Sequence, residues 1–320
     1  MTSDLRLGLI GCGQFGAFLA ATAEKTGSAR VVAVTDVDPA RTAKLAALHS
    51  ARACADEQAL LALGEVDAVL IATPPAQHQG NAINAARAGK HIFLEKPMAL
   101  GEAACAEINA AVRDAGVSLM VGHVLRYFEP YRSIARAYRT GKFGRALHFS
   151  FWRLEHDFLQ ISPWKGQRAG SGGYLYEVAA HELDWLRTVL GEPLAVQAQI
   201  SKRPASHELE DTVALQLAFA GGTSVHYLGG TAFPANSHGY CLRFEHATLS
   251  SDVAFDPARL RIESTTGLSP DDLEFDTTDP YLLELNDWIA SLDSGTPPIT
   301  GDDAAATIAL IESAYRSAGW

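Results

Sequence analysis

The segment Gly11-Cys12-Gly13-Gln14-Phe15-Gly16 constrains this chain more than any other. It follows an apolar, strand-like run at residues 5–10 and opens a stretch with helical spacing at residues 14–25. A short β-branched strand at residues 30–34 then leads to Asp36, about 20 residues beyond the last glycine. Each part has a physical duty toward a dinucleotide. Gly11 permits a tight turn, Gly13 lets the backbone approach a pyrophosphate, and Gly16 lets helix and strand pack closely. The helix start, with Gln14 and Phe15, offers unpaired N–H groups and a positive dipole end to the phosphates. Asp36 can accept hydrogen bonds from the adenosine ribose, and its charge repels a 2′-phosphate. NAD is therefore expected over NADP. Arg41 stands near enough to soften that preference, though it also fits a solvated helix residue.

The first part of the chain continues the same alternation. Residues 39–49 read as a helix, 66–71 as a buried strand and 76–88 as a helix stopped by Gly89. Short strands at 91–94 and 119–121 flank a helix at 101–115. Strands and helices alternating at this spacing predict a doubly wound parallel sheet with helices on both faces. Beyond residue 122 the texture changes. Strand-like segments at 147–152, 195–200, 213–219 and 224–228 show period-two alternation, with Gly221-Gly222 as a hairpin turn between the last two. Shorter strands are expected at 241–244, 248–253 and 260–263, one helix at 174–190, and two closing helices at 281–292 and 302–318. The expectation is an α/β chain: a dinucleotide-binding domain over residues 1–122, then an α+β domain over 123–320 with a large, mostly antiparallel sheet open on one face.

Two further segments carry chemistry. Thr73-Pro74-Pro75 closes the 66–71 strand at the edge where cofactors lie in such sheets, with His78 just after it at a helix start. In Leu94-Glu95-Lys96-Pro97 a Glu-Lys pair stands at the carboxyl end of an apolar strand. A buried charge must be paired or solvated, so the pair is either a surface turn or part of a site. In the second domain, Gly172-Gly173 opens a helix on which Glu177, His181 and Asp184 fall four and three residues apart, which puts all three on one face. The acids could tune an imidazole acting as a base, or His181 could be a satisfied core histidine.

Composition excludes some classes of function. The formal net charge is −11, with no basic stretch to meet nucleic acid. No apolar run reaches the ~20 residues that span a bilayer. The first strand begins within a few residues of Met1, and the four cysteines have no paired spacing, so a cytoplasmic protein without disulfides is expected. The 11 histidines form no ligand-spaced pair, and no metal is expected.

The glycine turn, then Glu95-Lys96-Pro97-Met98-Ala99, then Gly172-Gly173 with His181 and Asp184, resemble in that order the Gfo/Idh/MocA family of sugar and cyclitol oxidoreductases. The likeness spans nearly the full chain and implies an N-terminal Rossmann domain. It implies that Lys96 contacts the reacting hydroxyl and the nicotinamide ribose, that His181 is the general acid/base, and that Asp184 supports it. A cis peptide before Pro97 would fit the family. Trp164-Lys165 resembles a Trp-Arg pair whose indole could pack on a sugar ring, and His123 and Arg126 match a segment bordering substrate. The family usually has aspartate where Glu177 stands, which weakens the match to cyclitol dehydrogenases. The implied activity is NAD-dependent oxidation of a secondary alcohol on a sugar, sugar derivative or cyclitol. Alternatives on the same fold are NADPH-dependent reduction of a ketone or imine, a redox-assisted lyase or epimerase, or a dinucleotide sensor without catalysis. A homo-oligomer, dimer or tetramer, formed through the C-terminal sheet is also implied.

Overall fold

The computed structural model describes residues 4–156, 163–202 and 208–320. The chain divides into two compact units, one built from Met1–Val124 and Thr278–Ile308, the other from Leu125–Thr277 and Ala309–Trp320.

The first unit contains a six-stranded sheet of β1 (Leu5–Ile10), β2 (Ala29–Thr35), β3 (Arg52–Ala53), β4 (Ala68–Ile71), β5 (His91–Glu95) and β6 (Leu119–Gly122), in the order β3-β2-β1-β4-β5-β6. Every neighbouring pair is parallel. The strands are buried runs, with Leu7, Leu9, Val69, Leu70, Phe93 and Leu94 all fully inaccessible, as expected for a parallel sheet covered on both faces. The crossovers carry α1 (Gln14–Lys25), α2 (Pro39–His49), α3 (Glu57–Leu61), α4 (Pro75–Arg87) and α5 (Glu102–Ala115). Strand order reverses at β1, which lies between β2 and β4. This is the switch point where such sheets bind dinucleotides.

The sequence expectation ended this domain at residue 122 and gave the whole remainder to the second. The structure instead returns residues 278–308 to the first unit. The reason is packing. α9 (Pro280–Ser291) buries Trp288 completely, with its ring 5.4 Å from that of Phe93 on β5. Beyond it, the Val121 N–H donates to the Ile299 carbonyl at 3.2 Å.

The second unit is built on a seven-stranded sheet of β7 (Ala146–Leu154), β8 (Ala195–Ser201), β9 (Thr212–Ala218), β10 (Ser224–Gly230), β11 (Ser237–Phe244), β12 (Ala247–Ser251) and β13 (Arg261–Ser264), ordered β13-β12-β11-β7-β10-β9-β8. All pairs are antiparallel except β7 with β10. Along β9 alternate residues are buried and exposed, so one face carries core and the other faces outward. Alongside the sheet run α6 (Tyr131–Arg139), the single turn α7 (Arg168–Ser171) and α8 (Ala180–Leu190); α10 (Gly301–Ser317) closes the chain and contains the division between the units. β3, α3 and α6 have no counterpart in the sequence reading. The first two are too short to show a period, and α6 is a short amphipathic helix, with Tyr131, Ile134, Ala135 and Ala137 buried between more exposed arginines, which the sequence reading passed over.

The core of this unit holds a buried charge network. Glu182 on α8 is fully inaccessible, 3.2 Å from the Arg153 guanidinium and 2.9 Å from His238 Nε2. Burial would raise the Glu182 carboxyl, but Arg153 and His238 outweigh it and hold it below its usual range. Among the described residues no helix is long and apolar enough to cross a membrane. Removing one partner of a buried pair typically costs about 3–5 kcal/mol, because the other charge stays stranded. Arg153→Met should lower unfolding stability by that order in urea titration, and Arg153→Met with Glu182→Leu should recover part of the loss.

Candidate functional site

The first unit brings three chain segments to one edge. Ile10, Ile71 and Leu94 are in register across β1, β4 and β5. Consequently Gly11 and Ala72 leave the sheet beside Glu95, the last residue of β5, and the glycine turn, the Thr73-Pro74 loop and Lys96 extend from the carboxyl ends of neighbouring strands. Gly11 has φ +99°, and a Cβ there would come within 2.8 Å of the Ala72 backbone. A Cβ on Gly16 would collide with the Gly11 carbonyl oxygen. Those two glycines are required by the fold itself. Gly13 differs: a Cβ there would meet no protein atom within 4 Å. Internal packing leaves room at Gly13, so glycine there suits a group approaching from outside, such as a pyrophosphate. Gly13 caps α1 without a side-chain hydrogen bond, and the first turn holds no acid. These features fit a dinucleotide phosphate cradle.

Asp36 is fixed before any ligand arrives. Its Oδ2 accepts from the Cys12 N–H at 2.7 Å and its Oδ1 from the Asp38 N–H at 2.8 Å. That ties the end of β2 to the glycine turn and leaves carboxylate lone pairs for ribose hydroxyls. Arg41 lies 3.3 Å from Asp38 on the surface, which is the solvated-helix reading. Gln14 is exposed, and the partly exposed Phe15 packs its ring 5.7 Å from Phe18 and 5.8 Å from Tyr281. Cys12 Sγ points at the Thr35 carbonyl, and burial, then Asp36, push its thiol up to about 12.

Glu95 is buried and accepts from the Lys96 N–H at 3.2 Å, while Lys96 itself is half-buried. The Lys96–Pro97 peptide is cis. Thr73 donates its hydroxyl to Asn81 at 2.8 Å. His78 was read as a helix-start residue next to the cofactor loop, and it lies in the first turn of α4. It is buried, with Nδ1 2.7 Å from the Pro97 carbonyl and Nε2 2.8 Å from the Thr73 carbonyl. It braces the Thr73 loop against the Lys96-Pro97 segment. His123, just after β6, is 1% exposed.

In the second unit the helix reading needs correction. Leu175–Ala179 is π-helical and passes into α8 at Ala180, so Glu177 and His181 are not related by a regular α turn. Glu177 is buried and its Oε2 lies 3.4 Å from Lys165 Nζ, which in turn sits 5.5 Å from the centre of the Trp164 ring. Trp164, Lys165 and Glu177 therefore lie together. Asp184 is fully buried and receives Arg126 in a two-point pair, Nε to Oδ2 at 2.7 Å and Nη2 to Oδ1 at 2.6 Å. Arg126 thus holds a helix acid, a role the substrate-bordering expectation did not include. His181, between the two acids along the chain, is half-buried. Sequence reasoning also missed Glu210, whose fully buried carboxylate accepts from the Tyr174 N–H at 2.8 Å at the start of this helix. It comes after a segment with no motif. Among the described residues no group of His, Cys, Asp or Glu is arranged to hold a metal ion.

Comparison with known proteins agrees with this geometry. Residues 5–123 match the NAD-binding Rossmann-fold domain of the Gfo/Idh/MocA oxidoreductases, and residues 131–250 match that family's C-terminal domain. An inositol 2-dehydrogenase of Rhizobium meliloti is 29% identical over 330 residues, 98% of this chain and 96% of the relative. A 2,7-anhydro-N-acetylneuraminate hydratase of Escherichia coli is 28% identical over 271 residues, 82% of this chain and 71% of the relative. The WlbA dehydrogenase of Bordetella pertussis, solved with NADH and UDP-GlcNAcA, superposes with a TM-score of 0.89 at 26% identity, covering 99% of this chain and 97% of that one. A thiol held near pKa 12 is almost wholly protonated at mildly alkaline pH and a poor nucleophile. Iodoacetamide followed by peptide mass mapping should therefore modify the more accessible Cys241 well before Cys12.

Proposed function

This chain belongs to the Gfo/Idh/MocA oxidoreductase family, and from that premise we propose that it oxidises a secondary alcohol of a sugar, sugar derivative or cyclitol with NAD. What supports the reading most is the register of β1, β4 and β5, from whose ends the glycine turn and Lys96 both emerge. A cation and a phosphate cradle at one sheet edge suit hydride chemistry on an alcohol. When bound, NAD supplies the nicotinamide carbon that accepts the hydride.

The residues of the chain do the rest. Gly11, Gly13, Gly16 and the first N–H groups of α1 hold the phosphates, and Asp36 takes the adenosine ribose. The Lys96 ammonium holds the substrate oxygen and stabilises the negative charge that develops there. His181 takes the hydroxyl proton as general base. Glu177, kept in place by Lys165, borders the substrate with Trp164, and Asp184, locked by Arg126, steadies the helix under His181. The outward sheet face, with alternating exposure along β9 and the accessible Leu228 on β10, is the one to which we assign a homo-oligomer contact.

A second reading draws support from the hydratase relative: product formation without net accumulation of NADH would favour it. Lys96→Ala should reduce turnover by roughly 10²–10³-fold, the usual cost of losing one transition-state donor, with NAD binding by fluorescence titration unchanged. Lost NAD binding with turnover preserved would contradict the role given to Lys96. Asp36→Ala should narrow the preference for NAD over NADP by about tenfold or more, since a hydrogen bond to a charged acceptor is lost; the two dissociation constants measured side by side check this.

A further inference from the structure

The turn preceding the His181 helix is held from outside by a buried assembly that none of the roles above uses. Gly172 has φ +81° and Gly173 φ +110°. A Cβ on Gly173 would clash with the Tyr315 hydroxyl and come within 2.7 Å of Glu210 Oε1. The fully buried Glu210 accepts from the Tyr174 N–H at 2.8 Å. The Tyr315 hydroxyl accepts from the Leu175 N–H at 3.3 Å and lies 3.4 Å from the Gly172 carbonyl oxygen, to which it donates. Two of the orphan N–H groups that open the helix are thereby satisfied by side chains distant in sequence. Arg168 closes the assembly, with Nη1 3.6 Å from Glu210 Oε1 and its guanidinium 4.4 Å from the Tyr315 ring centre and 5.1 Å from that of Trp320. Burial, and next Glu210, raise the Tyr315 phenol well above its ordinary value, so it remains a neutral donor.

The anchoring bears on the next turn of the helix. Leu175–Ala179 is a π turn with Glu177 inside it and His181 just beyond. A π turn holds one residue more than an α turn. Relaxing it would rotate His181 against the residues that precede the turn by up to the angle of one residue, roughly 100°, and would change the angle between Glu177 and His181 as well. π turns are rare, and this one must be stabilised by the structure around it. At its far side Arg126 pins Asp184; at its near side the pin is Glu210.

We infer that Glu210, backed by Tyr315 and Arg168, is a positioning residue that fixes the start of the π turn and so sets the direction in which His181 and Glu177 face. This rests on the reading of His181 as the general base. Tyr315 comes from α10 and Arg168 from α7, so elements distant in sequence meet at this turn.

The test compares Glu210→Ala, Glu210→Gln and His181→Ala, singly and combined, with NAD and an accepted alcohol. Glu210→Ala should lower kcat by roughly 10–100-fold, the effect expected of a small misplacement, with NAD affinity unchanged. It should also move the limb of the kcat/KM pH profile that belongs to His181. Glu210→Gln keeps an acceptor for the Tyr174 N–H and should restore most of the rate. In a His181→Ala background, Glu210→Ala should cost little more, because groups acting through one another are not additive. A loss that merely tracks the folded fraction, with a wild-type pH profile and additive effects, overturns the inference. If Glu210→Ala does not fold, Tyr315→Phe removes a single hydroxyl and should show the same pH shift on a smaller scale; an unshifted profile there also overturns it. Wild-type turnover in His181→Ala would instead overturn the functional reading beneath it.

Discussion

The first unit depends on how closely the backbone can pass itself at the end of β1. Gly16 lies against the Gly11 carbonyl, and Gly11 lies against the backbone of Ala72, at distances that leave no space for a Cβ. This double approach seats α1 directly over the switch point of the parallel sheet. It points the first N–H groups of the helix away from the sheet edge, with nothing on Gly13 to obstruct a phosphate. The Asp36 carboxylate then joins the turn to the end of β2 through the Cys12 N–H. One acid thus serves both as a staple of the fold and as the ribose acceptor of the proposed function. Replacing it would disturb the turn as well as cofactor choice.

The second unit solves a different problem, that of holding carboxylates in a helix that is almost entirely buried. Each is compensated by a specific cation: Glu177 by Lys165, Glu182 by Arg153, Asp184 by Arg126. Unpaired, any of them would be costly in such surroundings. The pairs also act as registration marks, since each joins the helix to a different part of the unit. Lys165 comes from the segment before the glycines, Arg153 from β7, and Arg126 from the chain that enters the unit. A helix fixed at so many points can carry a π turn without relaxing.

Much of this was legible in the sequence, and the reasons are physical. The glycine turn and Asp36 could be read because backbone geometry restricts the residue types that fit. The longer parallel strands could be read because burial on both faces leaves continuous apolar runs. Residues 278–308 could not be assigned correctly, because an amphipathic helix such as Pro280–Ser291 does not reveal which core receives it. The spacing of Glu177, His181 and Asp184 placed all three on one regular helix and missed the change of rotation, since a π turn has no signature in composition. The sequence did not show what His78 and Arg126 bond to. Their partners, Pro97 with Thr73 and Asp184, lie on other elements, where local patterns carry no information. Glu210 was hidden for the same reason.

The proposed function requires that a dinucleotide held at Gly11–Gly16 accept hydride from an alcohol substrate. That coupling is read out by NADH formation, measured by absorbance, across a panel of neutral sugars, anhydrosugars and inositols with NAD supplied in excess. At least one of these alcohols should reduce NAD, and NADP should serve poorly in its place. A protein that binds NAD yet yields neither NADH nor any product with every member of the panel would contradict the coupling.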